Sequence, residues 1–310
     1  MLLAYYFFVF PSILHKDHGS VVFDAFFEKG KIALMSHRGG ALNYPEHSTK
    51  AFEESVNLGV QGIELDCLLT QDDLLITHHD RTLDNTTGQT DNISEIDYVD
   101  INTFKSEINT GNGIYTLKPG EETLKTALFS ELIDIVKNEN VFINIDNKTK
   151  IDEGFDDILQ DLEDNGLLSK TVIGSFDTYD PSALREKFGE EVRFFFPEQP
   201  LIMVVVSFLL GFLPFMPLRY DFYETTFAYD RNIDDAGGIT KLILQIVDFW
   251  WPLTFMINWH LKRRGIRVIY WTVNNESNLD DVYRVGAEGI ITDYPIELKD
   301  LLISKDLYIN

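Results

Sequence analysis

Five short runs in this chain hold side chains that could do chemistry. His37-Arg38-Gly39-Gly40 sets an imidazole, a candidate acid or base near neutral pH, beside a guanidinium suited to clamping phosphate. The paired glycines permit a tight turn and close approach of a ligand. In Gly62-Ile63-Glu64-Leu65-Asp66-Cys67, strand alternation puts Glu64 and Asp66 on one face and Ile63, Leu65 and Cys67 on the other. Two carboxylates on one face repel unless a cation sits between them. Hard oxygen donors at this spacing suit Mg²⁺ or Ca²⁺, although a salt-bridged strand end reads the same way. In Thr77-His78-His79-Asp80, one of the two histidines must share the inward face of its strand. The run from Val141 to Lys148 puts Asn144, Asp146 and Lys148 on one face, opposite Val141, Ile143 and Ile145. Three polar groups turned inward from a buried strand are costly without partners, which a metal-and-phosphate site would supply. In the fifth region, Trp271 is placed to wall a pocket and Asp293 to orient a neighbour, roles that a core residue and a turn former fit equally well.

The elements that must position these groups alternate. Strand patterns fall at residues 32–36, 62–66, 74–78, 141–146, 171–175, 192–196, 267–272 and 289–292. Helical patterns fall at 48–58, 124–138, 151–165, 181–188 and 279–285. Near-continuous apolar strands interleaved with helices predict a parallel sheet, and a count of eight predicts an α/β fold closed as a TIM (β/α)₈ barrel over residues 31–310. Two stretches break the alternation: a polar excursion at 84–122 and an apolar insertion after the sixth strand, at 197–264. Gly211, Pro214 and Pro217 argue against a straight spanning helix in the insertion.

Composition narrows the partners. With 26 Lys and Arg against 50 Asp and Glu, the net charge is −24, which excludes nucleic-acid binding through a broad basic surface. The single cysteine, Cys67, excludes an intrachain disulfide and favours a reducing, cytosol-facing location. Residues 1–30 form an apolar amino-terminal segment. Its first 14 residues lack the basic start and cleavage site of a signal peptide and fall short of the roughly 20 needed to span a bilayer, so it reads as an anchor remnant, an interfacial segment or buried chain.

Taken in order, the motifs resemble the glycerophosphodiester phosphodiesterase family over about residues 32–300: HRG, a PENT-like element, Glu-x-Asp, His-Asp, Glu-x-Lys, a Trp-Thr-Val-Asn-like strand and a closing Thr-Asp-x-Pro. The resemblance implies a TIM barrel with His37 and His79 as the catalytic pair, His79 being the histidine that directly precedes Asp80. It implies Arg38 and Lys148 as phosphate contacts, and Glu64, Asp66 and Asp146 as ligands of a divalent metal, with His79 sometimes counted beside it. Glu46 keeps its family place in the pocket. Two departures stand out. Asp146 replaces the usual glutamate, and Pro45-Glu46-His47-Ser48 puts His47 and Ser48 where the family has asparagine and threonine.

The run LLGFLPFMPLRYDFYE, together with FPSILH and INIDNK, resembles the membrane-associated, lysophospholipase D-type branch. That implies a lysophospholipid substrate, a headgroup alcohol and lysophosphatidic acid as products, contact with a membrane surface, and an intracellular site facing the cytosol or on the endoplasmic reticulum. Small water-soluble glycerophosphodiesters are the alternative substrates, and a non-catalytic lipid-binding barrel the alternative class. The insertion is expected at the active-site mouth, with Val204, Val205, Phe208 and Leu209 meeting lipid and Lys262-Arg263-Arg264 either touching headgroups or closing a helix.

Overall fold

The computed structural model describes residues 21–149, 151–176, 179–226 and 251–309. In chain order its strands are β1 (Ala33–His37), β2 (Gly62–Leu69), β3 (Leu75–Thr77), β4 (Glu107–Asn109), β5 (Ile114–Thr116), β6 (Phe142–Asn147), β7 (Thr171–Gly174), β8 (Arg193–Phe194), β9 (Phe222–Thr225), β10 (Arg267–Tyr270) and β11 (Gly289–Thr292). Eight of them lie side by side in the order β8-β7-β6-β2-β1-β11-β10-β9, parallel throughout. A parallel bridge from Phe195 to Phe222 joins the two ends and closes the barrel. Side-chain alternation sorts the strands. Met35, Phe142, Val172, Phe222, Ile269 and Ile291 pack inside, while Leu34, Ile63, Ile143, Ile173, Val268 and Ile290 pack against the helices.

The barrel is the expected one, but one of its strands is not. Residues 74–78, expected as the third barrel strand, form β3, which runs antiparallel to β2 and stays outside the barrel. The missing member is β9, inside the stretch 197–264 expected as an insertion. That stretch therefore contains ordinary barrel repeats: the helix Glu198–Leu209, strand β9 and the helix Trp251–Lys262, with 227–250 outside the described residues. The reason is local. A short apolar run such as Leu75–Thr77 looks alike in parallel and antiparallel sheets, whereas Phe222–Thr225 is four residues long, carries Glu224, and sits in the shadow of a far more apolar helix.

That helix also changes the expected place of the apolar surface. It starts beside the mouth, where Leu201 lines the pocket, and its 12 residues descend about 18 Å along the barrel. Val204, Val205 and Phe208, expected to meet lipid, are buried in the core. The exposed apolar residues described in the stretch are Met203 on that helix, Trp251 and Phe255 on the helix after β9, and a group of four, Leu209, Leu210, Phe212 and Phe215, at the end of the first helix and in the turn that leads up into β9. That group lies at the amino-terminal ends of the strands, on the floor of the barrel and opposite the mouth. Arg264, fully buried, holds this turn by donating to the carbonyls of Leu213 (3.1 Å) and Met216 (2.8 Å), and Lys262 donates to the carbonyl of Gly286 (2.7 Å). Two of the three clustered cations thus close structure instead of facing lipid. Also on the floor, Phe23 and Phe27 pack on Phe142 and Phe222, with ring centroids 5.5 to 5.9 Å apart. Among the described residues, no helix is long and apolar enough to cross a membrane. Residues 1–20 of the expected apolar segment lie outside the described residues.

Candidate active site

All the barrel strands point their carboxyl ends at one cavity of about 680 Å³. His37, Arg38, Glu64, Asp66, His79, Asp146, Lys148 and Trp271, singled out from the sequence, all line it. Glu46 does not; it lies buried behind Arg38 and accepts from its guanidinium at 3.2 Å.

The turn after β1 delivers the first two residues. Arg38 has φ 54°, and Gly39 and Gly40 follow at φ 80° and 94°. A Cβ on Gly39 would lie 2.7 Å from the Cβ of Ala51, and one on Gly40 2.8 Å from Pro295, so only glycine lets the helix Thr49–Leu58 and Pro295 approach. The Arg38 backbone N–H donates to Glu64 at 3.0 Å, and its Nε lies 3.7 Å from Asp66. Burial works against the guanidinium charge, but Glu46, Asp66 and Glu64 outweigh it and push its pKa up. Arg38 is a fixed cation.

Each histidine is backed by a carboxylate. His37 Nδ1 lies 2.5 Å from Asp293, whose second oxygen accepts from Asn274 (2.6 Å) and Asn112 (2.9 Å). His79 Nδ1 lies 2.7 Å from Asp80, which Asn85 holds at 2.7 Å. His78 turns the other way. It is buried behind the site, with Nε2 3.4 Å from the carbonyl of Thr82, and burial pushes its pKa down to about 4.

The carboxylates form a tight group because β2 and β6 are in register, with Asp66 beside Asp146 and Glu64 beside Asn144. Lys148 Nζ lies 3.0 Å from Asp66 and 3.6 Å from Asp146. Burial would raise every acid here, but Lys148, His79, His47 and Arg38 hold Asp66 well below the ordinary range. For Glu64, burial and repulsion from Asp66 prevail and drive the pKa up, and Asp146 rises to about 7 for the same reasons despite Lys148. Arg38 and Lys148 thus face three carboxylates, Glu64, Asp66 and Asp146, and Arg38 is shared with Glu46 as well. Among the described residues, no three His, Cys, Asp or Glu side chains are already drawn together as a metal cage. The donor chemistry nevertheless fits a hard divalent cation: three carboxylates on neighbouring strand ends, two of them, Glu64 and Asp146, disfavoured as anions by burial and by repulsion from Asp66.

Four residues of the site escaped the sequence reading of function. His47, one of the two departures, is buried with Nε2 3.1 Å from Asp66; burial pushes its pKa down to about 3, so the neutral ring donates to that carboxylate. Its neighbour Ser48 caps the helix Thr49–Leu58 by accepting from the Ala51 N–H at 3.1 Å. Asn112 sits at the tip of the β4–β5 hairpin, so the polar excursion reaches back over the mouth. Glu224 and Phe176 line the opposite wall. Only His47 left a signal, as a departure from the motif; the others depend on long-range closure.

Comparisons with known proteins bear on the family and the fold. A family model described as "Glycerophosphoryl diester phosphodiesterase family" matches residues 37–297. "Lysophospholipase D GDPD1" of Homo sapiens is 26% identical over 272 residues, which is 86% of this chain and 85% of that protein. A "Glycerophosphodiester phosphodiesterase" of Caldanaerobacter subterraneus is 24% identical over 277 residues, 88% of this chain and 98% of its own. Among solved structures, a phosphodiesterase of Oleispira antarctica in complex with the product sn-glycerol-3-phosphate superposes with a TM-score of 0.58 at 16% identity, covering 88% of this chain and 97% of that one. A glycerophosphodiester phosphodiesterase from Thermotoga maritima gives 0.56 at 17% identity, covering 87% of this chain and 98% of that one.

Proposed function

Because the chain belongs to the glycerophosphoryl diester phosphodiesterase family and is thus a phosphoric diester hydrolase, we propose that it is a metal-dependent lysophospholipase D, releasing the headgroup alcohol and lysophosphatidic acid from lysoglycerophospholipids. The observation that carries the reading is the pair of carboxylate-backed histidines facing one cavity that also holds Arg38 and Lys148.

In that cavity Arg38 and Lys148 hold the non-bridging phosphate oxygens, and Arg38, fixed by Glu46, cannot lose its charge. Asp293 and Asp80 orient the two imidazoles through Nδ1, which leaves each Nε2 for proton transfer. One histidine takes the proton from the attacking glycerol hydroxyl of the lysolipid and the other returns a proton to the departing alcohol, leaving a cyclic phosphate; water, deprotonated in turn by a histidine, then opens the ring to lysophosphatidic acid as the glycerol oxygen regains its proton. Glu64, Asp66 and Asp146 are the residues that would hold a divalent metal. Bound there, it would neutralise charge developing on the phosphoryl oxygens.

The choice of a lysolipid over a small diester rests on the relatives named lysophospholipase D and on the apolar part of the wall, Phe176, Phe195, Leu201 and Ile291. The exposed turn Leu209 to Phe215 is the membrane contact in this reading. A parallel assay on lysophosphatidylcholine and glycerophosphocholine, with and without chelator, tests it. Turnover of the lysolipid that a chelator stops is the expected result; turnover of glycerophosphocholine alone moves the substrate to the soluble class, and lipid binding without turnover leaves a non-catalytic barrel.

A further inference from the structure

The ends of β1, β2, β6 and β11 supply the charged half of the cavity, and among those charges stands one neutral amide. Asn144 lies on β6, in register with Glu64 on β2 and two residues before Asp146 on the same inward face. It lines the cavity and is 1% exposed. The two ends of a carboxamide are alike in shape, so its hydrogen bonds decide which way it faces. Glu224 Oε1, across the lumen on β9, accepts from Asn144 Nδ2 at 2.8 Å. That bond turns Nδ2 to the β9 side and Oδ1 away from it, and Oδ1 is buried with no hydrogen-bond partner. The inward residues next to Asn144 are Phe142 and Asp146 on its own strand, Glu64 on β2 and Val172 on β7. Two are hydrocarbon, and the two acids are ionised whenever they hold a metal, so none of the four then has a proton to donate.

A buried amide oxygen without a donor is costly, and a cation is the other partner it can take. Amide carbonyls are hard oxygen ligands, of the kind that Ca²⁺ takes alongside carboxylates. We propose that Asn144 Oδ1 is a fourth protein ligand of the divalent cation assigned to Glu64, Asp66 and Asp146, and that Glu224 is a positioning residue which keeps the amide the right way round. This rests on the metal assignment within the phosphodiesterase reading. A neutral fourth oxygen raises the coordination number without adding to the repulsion among the acids. It therefore favours Ca²⁺, which gathers more oxygens at longer range, over Mg²⁺, which keeps its waters.

The experiment uses the whole chain without substrate. Calorimetry measures Ca²⁺ and Mg²⁺ binding, and Eu³⁺ serves as a luminescent stand-in for Ca²⁺, its decay in H₂O and D₂O counting the waters on the ion. Asn144→Leu, similar in size but without the oxygen, should weaken Ca²⁺ binding about tenfold and add about one water to bound Eu³⁺. Its preference for Ca²⁺ over Mg²⁺ should narrow; should that variant not fold, Asn144→Ala gives the same readouts. Asn144→Asp keeps an oxygen in place and should keep the wild-type water count, which a purely structural role for the amide would not require. Glu224→Gln can present either end of its own amide to Asn144, so it should weaken Ca²⁺ binding roughly tenfold while the metal-free chain melts as the wild type does. An unchanged Ca²⁺ Kd and water count in Asn144→Leu overturns the fourth ligand and leaves Glu64, Asp66 and Asp146 as the site. An unchanged Ca²⁺ Kd in Glu224→Gln overturns the positioning role. Failure of the wild-type chain to bind any of the three ions overturns the metal assignment and the fourth ligand together. Absence of turnover on every diester overturns the phosphodiesterase reading instead, and the binding results still decide the ligand.

Discussion

Asp293 places Oδ1 2.5 Å from Nδ1 of His37, although 256 residues separate the two. Burial would raise the Asp293 pKa, but His37, Asn274 and Arg38 override it and hold it below the ordinary value. An ionised carboxylate can only accept, so Nδ1 carries the proton and Nε2 faces the cavity free to exchange one. An asparagine at this position can donate, which reverses the tautomer. Asp293→Asn should therefore lower kcat roughly 10²- to 10⁴-fold with little change in melting temperature. Wild-type kcat in this variant would remove His37 from proton transfer.

The adjacent histidines should behave oppositely. His79 lines the cavity and rests on Asp80, so His79→Ala should lower turnover by orders of magnitude in a stably folded chain. His78 is buried outside the cavity, so His78→Leu should alter kcat by a few-fold at most and act on stability. Burial sets the folded pKa of His78 near 4 against 6.5 unfolded, so between these values the unfolded chain binds a proton that the folded chain does not. Its contribution is complete above about pH 6.5 and is lost as the pH falls towards 4. Melting temperature against pH should fall less steeply in His78→Leu over that window; an unchanged slope would mean the ring does not titrate there.

Chelation should abolish activity, and Mg²⁺ or Ca²⁺ should restore it. Asp146→Asn should raise the metal concentration needed for half-maximal activity, because one of three acidic donors becomes neutral. Full turnover after exhaustive treatment with EDTA would overturn the metal assignment of Glu64, Asp66 and Asp146.

The apolar turn gives a prediction of separation. Leu210 and Phe212 are 66% and 63% exposed and lie on the floor, away from the mouth. Replacing both with serine should reduce sedimentation with phospholipid vesicles while leaving KM for a short-chain, monomeric lysolipid unchanged. If KM rose several-fold in the same variant, the turn would reach the substrate after all.

Much of the charged half was legible because strand alternation alone groups Glu64 with Asp66, and Asn144 with Asp146 and Lys148. The family motif selected His79 over His78, and the structure puts His79 in the cavity and His78 behind it. What stayed hidden depends on closure. Nothing near Asp293 says that it meets His37, because β11 reaches β1 only when the barrel closes. Asn112 is one polar residue in a polar loop until the β4–β5 hairpin bends over the mouth. The strand count reached eight with β3 included and β9 overlooked, so Glu224, on the overlooked strand, went unread.

The opposition of floor and mouth bears on how a lipid would arrive. A molecule resting on a bilayer by Leu209 to Phe215 turns its catalytic opening towards water, not towards the leaflet beneath it. Substrate must then desorb before it can enter, and the aqueous monomer pool, not surface density, sets the rate. Each added acyl methylene costs about 0.8 kcal/mol on leaving the membrane, so turnover on vesicles should decline as the chain lengthens. Such an arrangement spares diacyl lipids even if their phosphates would fit, since two chains almost never leave together. Selectivity for lysolipids would come from escape tendency as much as from the shape of the cavity.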